Sequence, residues 1–375
     1  MKIIHLVLGK ANPERMNGVN KVAFHLAKNQ HEMGYDVSVW GISNSLEHNY
    51  PARSFKTRLF RQRLNKLVLD DDLRQSIEWL PKDTVVHMHG AFITEFYLIS
   101  RLLRSRSIPY IYTPHGSLTA AALEQSKYRK KIYFKFFEQE LIRHAAAVQL
   151  LGEQEYAHLD QLIQNVPKLL IPNGMDLSEI PSIPEKSPES VPVFGFCGRL
   201  DAYHKGLDIL LEGFQLFLHR GNKGRLELIG DGPDRAKLER QAAALGIAQH
   251  VTFRGALYGA EKYRAMASAD LFLHPSRMEG FPMAVLEAAA LNLPCLVSEP
   301  TSMCNYIKKF DAGIPLPSLQ PLIICSALEY AATLHQNKML KPMGERAGKM
   351  VKETFNWKNV SEQLISHYNT VQGNN

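Results

Sequence analysis

Two glutamates, Glu279 and Glu287, flank a turn whose residues could bind a phosphate group. The turn follows an apolar run at residues 269–275, which is short enough for a buried strand and ends in a proline. Gly280 allows a ligand to approach the backbone, and Pro282 suits the first position of a helix whose free amides and dipole favour an anion. The residues alone predict a sugar-phosphate or nucleotide site. The alternative is a pair of solvated carboxylates, one in a loop and one on a helix.

Two cations, Arg199 and Lys205, lie on a loop between a predicted strand at residues 193–197 and an amphipathic helix that begins at Leu207. A guanidinium offers a diphosphate two parallel hydrogen bonds, and an ammonium adds a point charge. The spacing therefore favours an anion site at the end of that strand. Exposed cations that only keep the protein soluble are the alternative.

Two further strand-like runs, residues 84–90 and 109–116, each end in a histidine followed by a glycine, at His89 and His115. A single histidine after a strand is more often structural than functional. The adjacent glycine and the position at a strand end favour a ligand contact for His115 instead.

Strand-like and helix-like segments alternate along the chain, which is typical of doubly wound, mostly parallel α/β sheets. The strands are predicted at residues 3–9, 36–41, 84–90, 109–116, 145–151, 168–172, 193–197, 225–229, 251–253, 271–273 and 294–297. We expect two Rossmann-like domains, with the ligand in a cleft that faces the carboxyl ends of the strands.

A proline-rich stretch at residues 179–192 predicts an interdomain linker. It separates an N-terminal domain, residues 1–178, from a C-terminal domain, residues 193–354, which carries both candidate anion-binding loops. At 375 residues, with 45% hydrophobic and 22% charged residues, the chain is long enough for two cores.

The composition also predicts where the protein works. No run approaches the ~18 apolar residues of a membrane-spanning helix, and the first residues lack the features of a signal peptide. The four cysteines have no C-x-x-C spacing, so we expect reduced core thiols and no disulfides. A cytoplasmic protein is the expectation.

The formal net charge is +7, and most of the excess lies in the first half of the chain. Residues 53–66 contain no acidic residue, and residues 127–137 mix cations with five aromatic residues. Both segments suit an anionic membrane surface, and a solvated basic face with aromatics packed inward explains them equally well. Nucleic acid is not expected as a partner, because no recognition motif accompanies the charge.

Two short patterns suggest other sites but lack the right context. Asp70 and Asp72 have the Asp-x-Asp spacing of a metal site, yet they lie in helix-like sequence, where acids at a helix start explain them better. Gly230 and Gly232 begin a dinucleotide-type glycine pattern, which fails because Arg235 stands where the third glycine is needed. We therefore predict no metal site and no dinucleotide site.

Together these loops resemble the signature of the retaining nucleotide-sugar glycosyltransferases of family 4, of the type that makes bacterial polysaccharides and lipid-linked glycans. The resemblance is carried by the Glu-x7-Glu spacing at 279–287, the Gly-Arg-Leu-Asp…Lys-Gly pattern at 198–206, the Thr-Pro-His-Gly motif at 113–116 and the segment 16–21. These motifs occur in family order over nearly the whole chain. The resemblance implies the GT-B fold, in which two Rossmann-like domains face each other across a cleft.

The resemblance also implies a role for each motif. Arg199 and Lys205 would bind the donor diphosphate, and His115 would reach the sugar near its reacting centre. Glu279 would hold sugar hydroxyls, and Glu287 would hold the ribose. The implied catalytic residues are His115, Arg199, Lys205 and Glu279. The implied donor-binding residues are Gly18, Arg199, Lys205, Val251, Phe253, Glu279, Gly280, Phe281 and Glu287.

Three positions qualify the resemblance. Asn17 stands where the family usually has glycine, although asparagine also tolerates left-handed backbone. Residues 300–305 replace a glycine-rich turn and a further glutamate, so the role of that loop does not transfer. Residues 355–375 resemble the closing helix that packs back on the N-terminal domain.

The implied function is transfer of a hexose-type sugar from a UDP- or GDP-linked donor to a saccharide or lipid-linked acceptor, with retention of configuration and without a cofactor or metal. The expected partners are the donor, the acceptor and an anionic membrane surface, at the inner face of the membrane. A non-hydrolysing sugar-nucleotide epimerase of the same architecture, or a non-catalytic sugar-nucleotide-binding protein, is the alternative. Donor converted without an acceptor would favour the epimerase, and binding without turnover would favour the binding protein.

Overall fold

The computed structural model describes residues 1–12, 18–48, 50, 52–119, 123, 127–183 and 190–373. The chain divides by its contacts into two compact units. Unit 1 comprises Met1–Gly174 with Trp357–Asn375, and unit 2 comprises Met175–Asn356. Each unit contains its own parallel sheet between helices, which confirms the predicted α/β class.

Unit 1 is built on a parallel sheet with the strand order β3-β2-β1-β4-β5-β6-β7. Its strands are β1 (Lys2–Leu8), β2 (Asp36–Ser43), β3 (Lys56–Arg61), β4 (Thr84–His89), β5 (Tyr110–Thr113), β6 (Ala147–Leu150) and β7 (Lys168–Leu170). The order reverses between β1 and β4. A doubly wound sheet places a ligand-binding crevice at the carboxyl ends of the strands at such a reversal.

The helices of unit 1 cover both faces of this sheet. They are α1 (Gly18–Glu32), α2 (Asp71–Glu78), α3 (Thr94–Ser105), α4 (Lys127–Tyr133), a π-helical turn (Phe134–Glu138), α5 (Gln139–Arg143), α6 (Glu153–Leu162) and the last helix of the chain, α14 (Trp357–Gly373).

Helix α14 packs on α1 although more than 300 residues separate them in sequence. Leu364 and Tyr368 are buried in the same hydrophobic cluster as Leu26 of α1. The indole of Trp357 stacks on the ring of His25, with the ring centroids 5.3 Å apart. Since burying one large apolar side chain contributes about 1.5–3 kcal/mol, this face ties the end of the chain to unit 1.

Unit 2 is built on a parallel sheet with the strand order β10-β9-β8-β11-β12-β13. Its strands are β8 (Val193–Cys197), β9 (Arg225–Ile229), β10 (Val251–Gly255), β11 (Leu271–His274), β12 (Cys295–Ser298) and β13 (Gly313–Leu316). Its helices are α7 (Leu207–His219), α8 (Arg235–Ala244), α9 (Gly259–Ala267), α10 (Met283–Ala290), α11 (Cys304–Phe310), α12 (Pro321–Gln336) and α13 (Leu340–Thr354).

The segment 53–66, interpreted above as a candidate membrane surface, contains the unpredicted strand β3 at the edge of the unit 1 sheet. The ring of Phe60 is buried in the core. The guanidinium of Arg58 pairs with Asp72, and that of Arg63 lies 2.8 Å from the carboxylate of Asp71. Because both of these cations are neutralised by acids of α2, the structure favours the solvated basic face over the membrane surface here.

The acids of α2 have the structural role predicted for them. Asp70 caps the helix, and its carboxylate accepts a hydrogen bond from the N–H of Leu73 at 3.4 Å. Asp71 and Asp72 lie in the first turn, where the helix dipole favours negative charge. The interpretation of this cluster as helix-starting acids is confirmed.

Other sequence expectations can be compared directly. All four cysteines are free and buried, which confirms that they are core thiols. In the described part of the chain, no helix is long and apolar enough to cross a membrane. Of the proline-rich stretch at 179–192, residues 184–189 lie outside the described residues.

Candidate functional site

In unit 2 two loops meet at the carboxyl edge of the sheet. Loop A (residues 198–206) follows β8, and loop B (residues 275–282) follows β11. Strands β8 and β11 are neighbours, and the strand order reverses beside β8, which pairs with β9 on its other side. The two loops therefore lie at the position where this type of sheet binds ligands.

Gly206 holds the end of loop A against the start of loop B. Its φ is +66°, a left-handed conformation that other residues adopt only with strain. A Cβ atom at this position would also overlap the carbonyl oxygen of Pro275. Glycine is thus required twice over, for the backbone conformation and for the close approach of the two loops.

Arg277 joins the two loops from the other side. Its backbone N–H donates to the carbonyl of His204 at 2.9 Å, and its guanidinium donates to the carbonyl of Tyr203 at 2.7 Å. The same guanidinium binds both carboxylate oxygens of Asp208, at 2.7 and 3.1 Å. This two-point pairing fixes loop B relative to the start of α7.

The centre of the site is an ion pair between Lys205 of loop A and Glu279 of loop B. His274, at the end of β11, contributes a third contact, because its Nε2 lies 2.9 Å from the same carboxylate oxygen. Burial lowers the pKa of His274, while its contact with Glu279 opposes that shift. Burial alone would raise the pKa of Glu279, but the hydrogen bond and charge of His274, followed by the charge of Lys205, lower it to about 2.

The pair is shielded from solvent, since the side chains of Lys205 and Glu279 are 20% and 16% exposed. An ion pair in such a position interacts more strongly than an exposed one, because water screens it less. The family resemblance implies a separate ligand for each residue, the diphosphate for Lys205 and sugar hydroxyls for Glu279. The structure brings the two residues together into one group.

Glu287 belongs to a separate pair beneath the loops. Its carboxylate lies 2.7 Å from Nζ of Lys262 and 3.4 Å from the hydroxyl of Tyr263. The charge of Glu287 also acts on the thiol of Cys197. Burial, and to a smaller extent this charge, raises the pKa of that thiol to about 12. Glu287 is therefore not a solvated helix residue. It pairs with Lys262, whereas Glu279 pairs with Lys205.

Arg199 is exposed on loop A. Its neighbour Asp201 shapes the loop by accepting hydrogen bonds at 2.9 Å from the backbone N–H and ring Nδ1 of His204. Burial would raise the pKa of Asp201, but the hydrogen bonds from His204 and the charge of Arg199 lower it below its ordinary value. Arg199 is thus presented to solvent at the sheet edge with a negative neighbour.

Loop B leads into α10 through Gly280, Phe281 and Pro282. Gly280 does not adopt the left-handed backbone that would have required glycine. Phe281 packs on the core, with its ring centroid 5.8 Å from that of Phe355. Pro282 is the N-cap residue of α10, one position earlier than predicted, and the helix begins at Met283.

Val251 and Phe253 lie in β10, the strand at one edge of the unit 2 sheet. Val251 is the first residue of β10 and pairs in register with Leu226, whereas the loops of the site follow the carboxyl ends of the strands. At about 3.3 Å per residue, Val251 lies more than 10 Å from the end of its own strand. The side chain of Val251 is buried in the unit 2 core, and the partly buried ring of Phe253 packs against that core. The assignment of both residues to donor binding stays a prediction.

The Gly-Asp-Gly turn after β9 (residues 230–232) packs closely against the backbone of loop A. A Cβ atom at Gly230 would overlap the carbonyl of Gly198, and one at Gly232 would overlap the backbone of Leu200. The N–H of Leu200 donates to the carbonyl of Asp231 at 3.0 Å. Of the two interpretations left open for this turn, these contacts support the structural one.

In unit 1 the strands β4 and β5 end in the two predicted His-Gly turns. His115 has a φ of +52°, which is strained for a residue with a side chain, and Gly116 continues in the left-handed region at +79°. The carboxylate of Glu155 accepts hydrogen bonds from the N–H groups of Gly116 at 2.7 Å and Leu151 at 3.2 Å. Glu155 therefore holds the turn that carries His115.

His115 is the outer member of a row of hydrogen-bonded histidines. Its Nε2 lies 3.1 Å from Nδ1 of His89, and Nε2 of His89 lies 2.9 Å from Nδ1 of His5. The Nε2 of His5 lies 2.8 Å from Oε1 of Gln30 on α1. Burial lowers the pKa of His115 to about 3 and that of His5 to about 4, so the rings are neutral.

Within the described residues, His5, His87 and His89 form the one group of ligand atoms close enough together to hold a metal ion. The rings of His87 and His89 stack with their centroids 4.1 Å apart, so their in-plane lone pairs do not converge on one point. Every ring nitrogen of the three also has a hydrogen-bond partner. The geometry fits a hydrogen-bonded chain better than a metal centre.

Gly18, the remaining predicted residue of unit 1, is the exposed first residue of α1. Asn17, which precedes it, lies outside the described residues. The loop after β1 is held by Asn20, whose side-chain oxygen accepts the N–H of Ala11 at 2.6 Å. The start of α1 is therefore anchored to the strand beside the histidine row.

Sequence reasoning missed His274, Arg277, Glu155 and Gln30. A histidine that ends an apolar strand and an arginine three residues later were visible signals for the first two. No local pattern identified Gln30 or Glu155, because the contacts that tie them to the histidine row, with His5 and Gly116, are 25 and 39 residues away in the chain.

Two family models match the chain. The model described as "Glycosyl transferases group 1" matches residues 180–350, and the model "Glycosyltransferase Family 4" matches residues 16–179. Between them they cover nearly the whole chain.

Curated relatives are similar over part of their length. A phosphatidyl-myo-inositol mannosyltransferase of Mycobacterium leprae is 28% identical over 204 residues, 54% of this chain and 53% of that protein. A GDP-mannose-dependent alpha-mannosyltransferase of Mycobacterium tuberculosis is 31% identical over 188 residues, 50% of this chain and 45% of that protein. The chain thus spans about half the length of these curated relatives.

Solved structures share the fold over the full chain. Sucrose-phosphate synthase from Thermosynechococcus elongatus superposes with a TM-score of 0.74 at 18% identity, covering 100% of both chains. Anabaena HepE in complex with UDP and glucose superposes with a TM-score of 0.71 at 17% identity, covering 99% of this chain and 100% of that one. At these identities the likeness establishes the fold.

Proposed function

The chain belongs to the glycosyltransferases of family 4 with the GT-B fold, and from this premise we propose that it transfers a hexose-type sugar from a nucleotide diphosphate sugar to a saccharide or lipid-linked acceptor. Retention of the anomeric configuration and independence from metal ions are part of the proposal. The observation that supports it most is the group formed by Lys205, Glu279 and His274, with Arg199 exposed beside it.

The difficult part of such a reaction is the negative charge on the departing diphosphate. The bond from the anomeric carbon to the diphosphate oxygen breaks, the acceptor oxygen attacks from the same face, and the leaving phosphate takes the acceptor proton. Arg199, Lys205 and the amino end of α10 lie at the unit 2 edge, and in this proposal they stabilise that charge. No proton-transferring side chain is needed for this step.

We propose different tasks for the two members of the ion pair. A bound diphosphate would compete with Glu279 for the ammonium of Lys205, which would leave carboxylate oxygens free to accept hydrogen bonds from sugar hydroxyls. With a pKa of about 2, Glu279 is too acidic to act as a proton donor or an effective base near neutral pH. His274 holds the carboxylate in place while Lys205 changes partner.

The names of the relatives suggest the first donors and acceptors to test. Two of them are called mannosyltransferases, one of these GDP-mannose-dependent and the other a phosphatidyl-myo-inositol enzyme. A solved neighbour contains UDP and glucose. GDP-mannose and UDP-glucose are therefore the donors of choice, and a lipid-linked acceptor is the acceptor class of choice.

A lipid-linked acceptor would bring the protein to an anionic membrane surface, and the second basic segment supports that part of the proposal. Tyr128, Ile132 and Phe136 recur every four residues and are 84%, 62% and 62% exposed. Lys131 and Lys135 are exposed among them. Apolar tips beside cations suit the boundary between head groups and acyl chains.

The test is an assay of sugar transfer with each donor and a panel of saccharide and lipid acceptors, with the anomeric configuration of the product read by NMR. We expect transfer with retention, unchanged by EDTA. Inverted product, or activity abolished by EDTA and restored by manganese, would contradict the stereochemical or the metal part. Donor converted to an isomer without any acceptor would favour an epimerase.

A further inference from the structure

Two series of hydrogen-bonded polar side chains lie in unit 1, one from the backbone carbonyl of Ile171 to Tyr368 and one from Gln30 to the ring of His115. Each hydrogen bond needs one donor and one acceptor. Because a carbonyl oxygen only accepts, the proton positions follow from the Ile171 carbonyl in the first series and from Oε1 of Gln30 in the second.

The first series fixes the tautomer of His87. Gln149 donates from Nε2 to the carbonyl of Ile171 at 2.9 Å, so its Oε1 accepts from the hydroxyl of Thr113 at 3.0 Å. With its proton committed, Oγ1 of Thr113 accepts from Nε2 of His87 at 2.6 Å. The Nδ1 of His87 then carries the lone pair, and it accepts from the hydroxyl of Tyr368 at 2.6 Å.

Gln30 begins the second series. Its Oε1 lies 2.8 Å from Nε2 of His5. Its amide nitrogen is buried and has no hydrogen-bond partner among the described residues. Burial raises the pKa of Tyr368 and the Gln30 amide lowers it, which agrees with the amide nitrogen being the atom nearer the phenolic oxygen.

The remaining protons of the second series follow from that orientation. Since Oε1 of Gln30 accepts, Nε2 of His5 carries the proton and Nδ1 of His5 carries a lone pair. The Nε2 of His89 must donate to that lone pair, and Nε2 of His115 must donate to Nδ1 of His89. One proton remains on each ring, at Nε2, and Nδ1 of His115 is left as an acceptor.

We infer that His115 meets its ligand as a neutral hydrogen-bond acceptor through Nδ1, and that Gln30 is a positioning residue that fixes this tautomer through His5 and His89. Among the described residues, no hydrogen-bond partner of this Nδ1 is found. Glu155 keeps the ring in place through the turn at Gly116. Resting on the proposed function, the ligand is a sugar hydroxyl that donates its proton to Nδ1.

The direct test is long-range proton–nitrogen NMR of the ligand-free protein labelled with 15N-histidine. We expect His5, His87, His89 and His115 to be neutral, each with its proton on Nε2. A proton on Nδ1 of His115, a charged ring at neutral pH, or a stoichiometric divalent metal bound to His5, His87 and His89 would overturn the inference.

Two variants test the role of Gln30. Gln30→Met keeps the length of the side chain and removes both polar atoms, so the tautomer of His115 should become mixed. Tyr368→Phe removes the hydroxyl that donates to Nδ1 of His87 and lies beside the Gln30 amide, and it should act in the same direction with the ring packing kept. Gln62→Met is the matched control, because it also removes a side-chain hydrogen bond of unit 1, from Gln62 to Glu95 at 2.7 Å, outside both series.

An unchanged spectrum of His115 in both Gln30→Met and Tyr368→Phe would contradict the positioning role. In the transfer assay, Gln30→Met should lower kcat/KM by up to about tenfold, the value of one net hydrogen bond, while Gln62→Met should not. The NMR measurement needs no donor. Failure of the proposed transferase function would therefore leave the tautomer result standing, and a wrong tautomer would contradict the inference even if transfer is observed.

Discussion

The sites at the carboxyl edges of the two sheets stabilise their buried polar side chains in opposite ways. At the unit 2 edge the groups are charged and paired with opposite charge, as in Lys205 with Glu279 and Arg277 with Asp208. At the unit 1 edge the groups around His115 are neutral, because burial lowers the pKa of every histidine in the row. Their hydrogen bonds run from ring to ring.

The difference indicates which kind of ligand each edge suits. Paired charges can exchange one partner for a charged ligand, since the cost of removing the charges from water has already been met in the folded protein. A row of neutral rings offers no charge and presents only a hydrogen-bond direction. The unit 2 edge therefore suits a diphosphate, and the unit 1 edge suits an uncharged hydroxyl.

The largest expected effect is on the charged edge. Lys205→Ala and Arg199→Ala should each lower kcat for sugar transfer roughly 10²–10³-fold, because each removes a group that stabilises the leaving diphosphate. Circular dichroism should show an intact fold. Lys237→Ala, at an exposed position of α8, is the control and should retain activity. Full turnover in the Lys205 or Arg199 variant would remove the diphosphate assignment.

Glu155 tests whether the unit 1 edge is kept uncharged. Burial raises the pKa of its carboxyl from 4.5 to about 7, although hydrogen bonds from the N–H groups of Leu151 and Gly116 oppose the shift. The folded state thus binds a proton more tightly than the unfolded state. The resulting stabilisation is present below about pH 4.5 and is lost as the pH rises through about 7.

Glu155→Gln keeps an acceptor oxygen and cannot ionise. Between pH 5 and pH 8 its free energy of unfolding should therefore fall less than that of the wild type, by on the order of 1–3 kcal/mol. Urea denaturation at several pH values measures this difference. Burial also raises the pKa of Glu138 to about 7. Because Glu138 is present in both proteins, its contribution to the pH dependence cancels in the difference between them. Equal pH dependence in the two proteins would show that Glu155 is ionised in the fold.

A smaller effect separates the two members of the ion pair. Glu279→Gln should lower kcat/KM by about tenfold, because the amide still accepts a hydrogen bond from a sugar hydroxyl but no longer pairs with Lys205. The loss should be smaller than that of Lys205→Ala in the same assay. If the glutamine variant is the less active of the two, Glu279 takes part in the chemistry itself.

The smallest predicted effect concerns the membrane surface. Lys131→Gln should weaken binding to vesicles that contain anionic lipid by about fivefold at low salt, since one cation near such a surface contributes ~1 kcal/mol. Co-sedimentation at low and high salt measures it, with Lys237→Gln as the control. If vesicle binding changes neither with salt nor in Lys131→Gln, this segment does not contact an anionic membrane surface.

Local patterns were sufficient for the fold and for the loops of the candidate site. The alternation of strands and helices predicted both sheets, and glycine next to cations or histidine marked the strand ends that carry Arg199, Lys205 and His115. The edge strand β3 was missed because its alternation of arginine and apolar residues was interpreted as a basic surface segment.

Pairings between distant segments were beyond the reach of one sequence. Lys205 and Glu279 lie 74 residues apart, and His5 and His89 lie 84 residues apart, so neither contact leaves a local pattern. Val251 and Phe253 were assigned to the site from the family resemblance alone, and Val251 lies at the start of β10, away from the carboxyl edge. The roles of the individual residues toward a donor remain predictions.

The central claim is that the charged edge of unit 2 binds the diphosphate of a sugar nucleotide. Isothermal titration calorimetry with GDP-mannose and UDP-glucose, on the wild type, Lys205→Ala and Lys237→Ala, tests it most directly. We expect one of these donors to bind the wild type and Lys237→Ala alike, and to bind Lys205→Ala at least about tenfold more weakly. Equal affinity for Lys205→Ala and the wild type would contradict the claim.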